Sequence, residues 1–143
     1  MLTTRPATLL DLRRVLLVDE SVRVRNTLTT VLRTFGSCEV VAEASDILGT
    51  FRAALRHEPD VVIFDFDLPR GDAAHALLAV RAILPDALIV AVAGDPSPLT
   101  ERLAIAAGAD ACIDKADTIR LPELLDELGG LGNDTELSLS ALD

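Results

Sequence analysis

The stretch from Val61 to Pro69 places a buried-looking strand directly before two aspartates. Four apolar residues run into Asp65, and Asp67 and Pro69 follow closely. A continuous apolar run of this length is typical of a central parallel strand buried on both faces. Because such a strand has no solvent-facing side for a charge, we expect Asp65 at its C-terminal edge, where open α/β sheets bind ligands. A loop aspartate that merely ends the strand fits this segment equally well on its own.

A second apolar strand, Val15–Val18, also runs into acids, Asp19 and Glu20. Taken alone, such a pair is more typical of a solvated, helix-capping turn than of a site. If the two strands are neighbours in a parallel sheet, however, both acids meet Asp65 at one edge. Three carboxylates in one cleft repel each other unless a cation neutralises them, and oxygen-only ligands favour Mg²⁺ or Ca²⁺.

A third apolar segment ends in Cys112-Ile113-Asp114-Lys115. It can place one ammonium group beside the acids. Three acids, a hard cation and one lysine are suited to a phosphoryl site, in which the cation and the lysine neutralise phosphate oxygens while a carboxylate attacks phosphorus.

The whole chain alternates short apolar strands with helical segments, five times. Strands are expected at about 15–19, 38–43, 61–65, 87–92 and 110–113, with helices beginning after Ser21, Asp46, Asp72 and Ser97 and near Thr118. This alternation predicts an α/β fold, a doubly wound parallel sheet with right-handed crossovers. The first two helices are expected to bury apolar stripes at helical spacing. These stripes are Val24, Leu28, Val31 and Phe35 in the first helix, and Ile47, Phe51 and Leu55 in the second.

Composition restricts the functional classes. The chain has 143 residues, half of them hydrophobic, which is enough for one buried core. No apolar run approaches the ~20 residues that span a membrane. A net charge of −10 argues against a nucleic-acid surface, which needs clustered Lys and Arg. Cys38 and Cys112 lie in apolar segments and are expected to be buried free thiols in a reducing cytoplasm.

Three ordered segments carry a resemblance to a known family. These segments are Val-Asp-Glu-Ser (18–21), Phe-Asp-Phe-Asp-Leu-Pro (64–69) and Gly-Ala-Asp-Ala-Cys-Ile-Asp-Lys (108–115). In this order and at this spacing, the sequence resembles the receiver domain of two-component response regulators. The resemblance implies a flavodoxin-like three-layer sandwich whose five strands have the order 2-1-3-4-5. It divides the chain into an N-terminal extension (1–12), a receiver domain (13–131) and an acidic tail or linker (132–143).

The resemblance also implies roles for individual residues. Asp65 would be the phosphoacceptor, and Lys115 would pair with the phosphoryl group. Mg²⁺ would be held directly by Glu20 and Asp65, through water by Asp19, and by the backbone carbonyl of Asp67. The implied partners are a sensor histidine kinase or phosphotransfer protein and a downstream protein, and a homodimer is possible. In this reading the chain is not a turnover enzyme, beyond self-catalysed phosphoryl transfer and slow autodephosphorylation.

Three positions depart from the family pattern. Ala93 stands where the family has a Ser or Thr that donates a hydrogen bond to the phosphoryl group. Cys112 stands at the usual aromatic switch position, and Ala116 replaces the proline after the lysine. A cis bond before a non-proline residue costs ~2.5–4 kcal/mol, so the bond before Ala116 is expected to be trans. We therefore expect an intact phosphoacceptor pocket with an altered readout.

Two alternatives remain open from the sequence. The departures favour a degenerate receiver that binds protein partners without phosphorylation. Phe-Asp-Phe-Asp also resembles the nucleophile strand of haloacid-dehalogenase-type phosphatases. That alternative is weaker, because those enzymes carry the motif on their first core strand, whereas here the motif falls on the third and Pro69 follows.

Overall fold

Five parallel strands form one central sheet. The computed structural model describes residues 12–68 and 72–129. The strands are β1 (Arg13–Val18), β2 (Cys38–Ala44), β3 (Val61–Asp65), β4 (Leu88–Ala93) and β5 (Ala111–Asp114). Their order in the sheet is β2-β1-β3-β4-β5, and every neighbouring pair is parallel. This confirms the predicted doubly wound fold, with β3 at its predicted bounds and the other strand boundaries shifted by at most two residues.

Helices cover both faces of the sheet and complete the three layers. They are α1 (Val22–Phe35), α2 (Ile47–His57), α3 (Ala73–Ile83) and α4 (Pro98–Ala106), followed by a 3₁₀ helix (Lys115–Arg120) and by α5, described over 121–129. Side chains of α2, α3 and α4 share one core cluster with one face of the sheet, whereas those of α1 and α5 share a second cluster with the other. Among the described helices, none is long and apolar enough to cross a membrane.

The continuous apolar run of β3 follows from these two layers. All five of its residues are buried. Val62 and Phe64 belong to the core under α2, α3 and α4, and Val61 and Ile63 to the core under α1 and α5. Because side chains alternate along a strand, a central strand covered on both faces needs apolar residues at every position.

Helices α1, α2 and α4 begin with side-chain caps from the residues predicted to precede them, whereas Asp72, predicted as the N-cap of α3, makes no side-chain cap hydrogen bond. The Ser21 and Ser97 hydroxyls accept hydrogen bonds from Val24 N (3.2 Å) and Thr100 N (3.1 Å). Asp46 accepts from Gly49 N at 2.7 Å. Each bond satisfies an amide that has no partner within the first helical turn.

The predicted buried stripes were wrong at two positions. Phe35 and Leu55 are 64% and 66% exposed, whereas Leu32 and Ala54 are fully buried. At ~100° per residue, position 54 lies almost in line with Ile47, while position 55 is rotated by ~80° away from the sheet. Phe35 is the last residue of α1 and lies beyond the turn that packs on the sheet.

The C-terminal helix also differs from its prediction. The segment after Lys115 first forms the 3₁₀ helix, and α-helical structure begins at residue 121 rather than near Thr118. Pro122 lies in the first turn of α5, where its missing amide is tolerated. The Lys115–Ala116 peptide bond is trans, as expected.

Arg81 fixes the amino-terminal edge of β4 and β5. Its guanidinium donates hydrogen bonds to the carbonyls of Ala87 (2.7 Å) and Gly108 (2.8 Å) and to Asp110 Oδ2 (2.8 Å). Gly108 has φ +117°, and a Cβ there would lie 2.8 Å from Arg81 Cβ. Only glycine fits this left-handed turn beside the arginine. The contact orients β5, the short strand that leads to Lys115.

Candidate functional site

The carboxyl edge of the sheet gathers the acids that the sequence singled out. β1 and β3 are neighbours, with Val18 opposite Phe64. Asp19 directly follows β1, and Asp65 is the last residue of β3. Lys115 follows β5, two strands away. The strand order therefore brings together side chains that are far apart in sequence.

Lys115 lies between the two buried carboxylates. Its Nζ is 3.0 Å from Asp65 Oδ1 and 3.4 Å from Asp19 Oδ2. The two aspartates are only 2% and 1% exposed, respectively. Asp65 Oδ1 also accepts a hydrogen bond from Asp67 N at 2.9 Å. Thus the lysine ammonium supplies part of the positive charge that the acid cluster requires.

Burial and ion pairing act in opposite directions on the pKa values of Asp65 and Lys115, and burial prevails only for Asp65. Burial raises the pKa of Asp65, although the Lys115 hydrogen bond and the Asp67 amide act in the opposite direction; the charge of Asp19 raises it further. Burial alone would lower the pKa of Lys115, but its contacts with Asp65 and Asp19 outweigh this and raise that pKa. An ion pair by itself would lower the pKa of an aspartate. Because the pKa of Asp65 is nevertheless raised, its surroundings disfavour the charged form of the carboxylate.

One carboxylate oxygen is left without a hydrogen bond. Asp19 Oδ1 accepts from Ser21 N at 2.8 Å, whereas Asp19 Oδ2 is buried and has no hydrogen-bond partner within the described residues. The Lys115 ammonium lies 3.4 Å from this oxygen, but a buried carboxylate oxygen without a hydrogen bond remains unfavourable unless a further cation or donor reaches it. Because the side chains here offer carboxylate oxygens as ligands, the site suits Mg²⁺ or Ca²⁺.

The described side chains alone do not form a complete set of ligands for a cation. No three Cys, His, Asp or Glu side chains in the described ranges converge as metal ligands. Asp19 and Asp65 converge, whereas Glu20 is exposed. A cation at this edge would therefore rest on the two buried carboxylates and would need Glu20 or main-chain oxygens to complete its shell.

Arg25 positions the acid loop, and sequence analysis missed this role. Its Nη1 donates to the Asp19 carbonyl at 2.5 Å, and its Nε donates to Glu43 Oε1 at 2.7 Å. The arginine thus ties the β1–α1 loop to β2. Its place in the first turn of α1, just after the acid pair, is the signal that could have revealed it.

Two of the positions that depart from the family pattern, Ala93 and Cys112, lie beside this edge of the sheet. Ala93 is the last residue of β4 and is almost fully buried, and Cys112 is half-buried on β5. The Gly94 amide, directly after Ala93, donates to Asp67 Oδ2 at 2.6 Å. From the sequence only the backbone carbonyl of Asp67 is expected at the site, and its side-chain contact with Gly94 is a finding of the structure.

Comparison with known proteins identifies the family. The response regulator receiver domain matches residues 15–127. Protein-glutamate methylesterase/protein-glutamine glutaminase 5 of Myxococcus xanthus is 37% identical over 119 residues, which cover 82% of this chain and 34% of that protein. Protein-glutamate methylesterase/protein-glutamine glutaminase 3 of Rhodopseudomonas palustris is 39% identical over 77 residues, which cover 54% of this chain and 21% of that protein. The chain thus spans about a fifth to a third of these relatives.

Solved structures show the same fold. The REC domain of AraT, a response regulator from Geobacillus stearothermophilus, is 26% identical and superposes with a TM-score of 0.73, covering 87% of this chain and 98% of that one. A LuxR-family two-component response regulator from Aurantimonas sp. SI85-9A1 is 25% identical with a TM-score of 0.75, covering 82% and 84%. With the sheet order and the family match in agreement, this chain belongs to the receiver domains of two-component response regulators.

Proposed function

We propose that Asp65 accepts a phosphoryl group from a sensor histidine kinase or phosphotransfer protein. The observation that carries this proposal is the position of Asp65 at the carboxyl edge of β3, buried and 3.0 Å from the Lys115 ammonium. An open parallel sheet binds its ligands at this edge. A carboxylate beside a fixed positive charge can attack an electrophilic phosphorus without any further nucleophile.

The chemistry follows from the two side chains. An Asp65 oxygen attacks phosphorus, the bond between phosphorus and the donor breaks, and its electron pair leaves with the donor's imidazole or acetate. Burial raises the pKa of Asp65, which makes the carboxylate more basic and therefore a better nucleophile. Lys115 stays charged, because its pKa is also raised, and it neutralises phosphoryl oxygens as they approach.

The residues at this edge fit a magnesium ion. Receiver domains generally bind Mg²⁺, and here Asp19, Glu20, Asp65 and the Asp67 carbonyl would hold it. Asp19 Oδ2, which makes no hydrogen bond within the described residues and lies 3.4 Å from the Lys115 ammonium, is the feature that favours this assignment. When bound, the ion supplies charge neutralisation for the acids and for phosphate oxygens.

The signal would pass to a protein partner in the cytoplasm. Exposed apolar side chains lie one helical turn apart on α4, where Leu99 and Leu103 are 57% and 48% exposed. Such a pair can contact an apolar partner surface. With its charge of −10, this chain is not proposed to bind nucleic acid directly.

A second function is favoured by one contact. The Asp67–Gly94 hydrogen bond already links two loops of the site, and Ala93 has no hydroxyl to offer a phosphoryl group. A receiver held in this way could bind partners independently of phosphorylation. In both proposals the site is not that of a haloacid-dehalogenase-type phosphatase, because the acidic motif lies on β3 and not on a first strand.

Intact-mass measurement tests the proposal directly. The protein is incubated with acetyl phosphate, with and without Mg²⁺, alongside Asp65→Asn and the control Asp86→Asn, which removes an exposed charge from the α3–β4 loop. We expect one phosphoryl group on the wild type and the control, only with Mg²⁺, and none on Asp65→Asn. Equal labelling of wild type and Asp65→Asn would refute the assignment. An unlabelled wild type would favour the binding-module reading, and repeated turnover of a chromogenic phosphate ester would favour a phosphatase.

A further inference from the structure

The side chain of Asp67 lies beside two donors of the site, the Gly94 amide and the Lys115 ammonium. Asp67 Oδ2 accepts a hydrogen bond from Gly94 N at 2.6 Å and lies 3.9 Å from Lys115 Nζ. The same ammonium is 3.0 Å from Asp65 Oδ1. One Asp67 oxygen therefore lies between an amide of the β4–α4 loop and the cation of the site.

The surrounding geometry fixes this contact. Asp67 N donates to Asp65 Oδ1, and Phe66 N donates to Val92 O at 2.8 Å, so the β3–α3 loop is held against the end of β4. At position 94 a Cβ would lie 3.3 Å from Asp67 Oδ2. Glycine thus lets the carboxylate approach the amide closely, and Ala93 offers no hydroxyl that could compete for it.

We infer that Asp67 acts as a tethered anion that occupies the Gly94 and Lys115 donors in the resting protein and competes with a phosphoryl group for them. This inference rests on the proposed phosphorylation of Asp65. A phosphoryl group there would bring anionic oxygens to the same ammonium and the same amide. Two anions brought to the same amide hydrogen repel each other, so binding of the phosphoryl group displaces the carboxylate of Asp67.

The competition has a functional consequence. In the resting state the β4–α4 loop is already joined to the β3–α3 loop through Asp67, without a phosphoryl group. Binding of a phosphoryl group exchanges one anionic partner of the Gly94 amide for another. We therefore expect only a small displacement of the β4–α4 loop. The element that changes is Asp67 itself, which is released toward solvent, where its side chain is already 48% exposed.

The test uses Mg²⁺ and beryllofluoride, a stable phosphoryl mimic, with three variants. Asp67→Ala removes the competing anion but keeps the backbone carbonyl, and Asp67→Asn keeps a neutral acceptor. Asp86→Ala removes an exposed acid from the opposite edge of the sheet. If competition operates, beryllofluoride affinity rises on the order of tenfold in Asp67→Ala, rises less in Asp67→Asn, and is unchanged in Asp86→Ala.

A second readout follows the contact without any ligand. The Gly94 amide should exchange its hydrogen faster and shift its resonance in Asp67→Ala, but not in Asp86→Ala. Unchanged or weaker beryllofluoride binding in Asp67→Ala, or an unaltered Gly94 amide, overturns the inference. If the wild type is phosphorylated at Asp65 and Asp67→Ala gains nothing, only this inference fails. If no variant takes up beryllofluoride or a phosphoryl group, the proposed function fails, and the inference with it.

Discussion

The ammonium of Lys115 lies 3.0 Å from Oδ1 of Asp65 and 3.4 Å from Oδ2 of Asp19. One cation thus faces two buried carboxylates, so the site keeps an excess of negative charge. Burial raises the pKa of Asp65 despite this partner, which means that the folded protein holds the carboxylate at an energetic disadvantage.

Neutralising Asp65 should not destabilise the metal-free protein. We expect Asp65→Asn to melt at the same temperature as the wild type or higher near neutral pH. A raised carboxyl pKa means that the folded state binds the proton more tightly than the unfolded chain does. Wild-type stability therefore falls as pH rises from the ordinary aspartate range through the raised pKa, and the advantage of Asn vanishes in acid. Thermal melts of both proteins across this pH range check the sign; a large loss of stability in Asp65→Asn would mean that the acids are structural partners.

Removing Lys115 should have the opposite effect. Lys115→Gln leaves Asp19 and Asp65 without their shared cation, which breaks a largely buried ion pair. We expect a loss of about 1–3 kcal/mol in unfolding free energy, below the full range for buried pairs because the lysine is partly exposed. Added Mg²⁺ should recover part of this loss. Denaturant titrations with and without Mg²⁺ measure both effects; unchanged stability would show that the lysine contact contributes nothing to the fold.

Magnesium binding should depend on Asp19. Because Asp19 Oδ2 has no hydrogen-bond partner among the described residues, we expect Asp19→Asn to weaken Mg²⁺ binding clearly. A ligand that binds only the folded state stabilises it by about 2.7 kcal/mol at a hundredfold excess over its Kd. The Mg²⁺-induced rise in melting temperature should thus shrink in Asp19→Asn and persist in Asp86→Asn. Equal rises in all three proteins would place the ion elsewhere.

Restoring a hydroxyl at position 93 should enlarge the response to a phosphoryl mimic. Ala93→Thr supplies a donor at the end of β4, and Ala93→Val adds the same volume without one. Both fill a buried position and can cost ~1–3 kcal/mol through overpacking, so valine controls for that strain. With beryllofluoride, we expect larger amide shifts around β4 and α4 in the threonine variant than in the valine variant. A full rearrangement of this face in the wild type would show that another donor replaces the missing hydroxyl.

Arg81 should be a structural requirement of the β4–β5 edge. Arg81→Lys keeps the charge but cannot reach the carbonyls of Ala87 and Gly108 and Asp110 together, since it lacks the planar fork. We expect a loss of about 1–3 kcal/mol, the range for an unsatisfied buried group. Thermal melts measure the loss, and Arg102→Lys on the exposed side of α4 serves as the control. Equal stability of both variants would contradict the role of Arg81.

Sequence alone determined the fold and most of the acid site. The strand–helix alternation predicts the layers, and the apolar runs into Asp19 and Asp65 predict their place at the carboxyl edge, because a strand covered on both faces leaves no other place for a charge. Capping residues such as Ser21 and Ser97 act locally, so they too are readable from sequence.

Only the tertiary structure decided which groups meet across loops. The Asp67–Gly94 and Arg25–Glu43 contacts join segments whose distance depends on the packed sheet, and no local pattern encodes that distance. The exposure of Phe35 likewise depends on where α1 leaves the sheet, and that of Leu55 on how α2 is rotated against the sheet. Local sequence fixes which residues form each element and its ends, whereas the partners of a long polar side chain depend on how all the elements pack together.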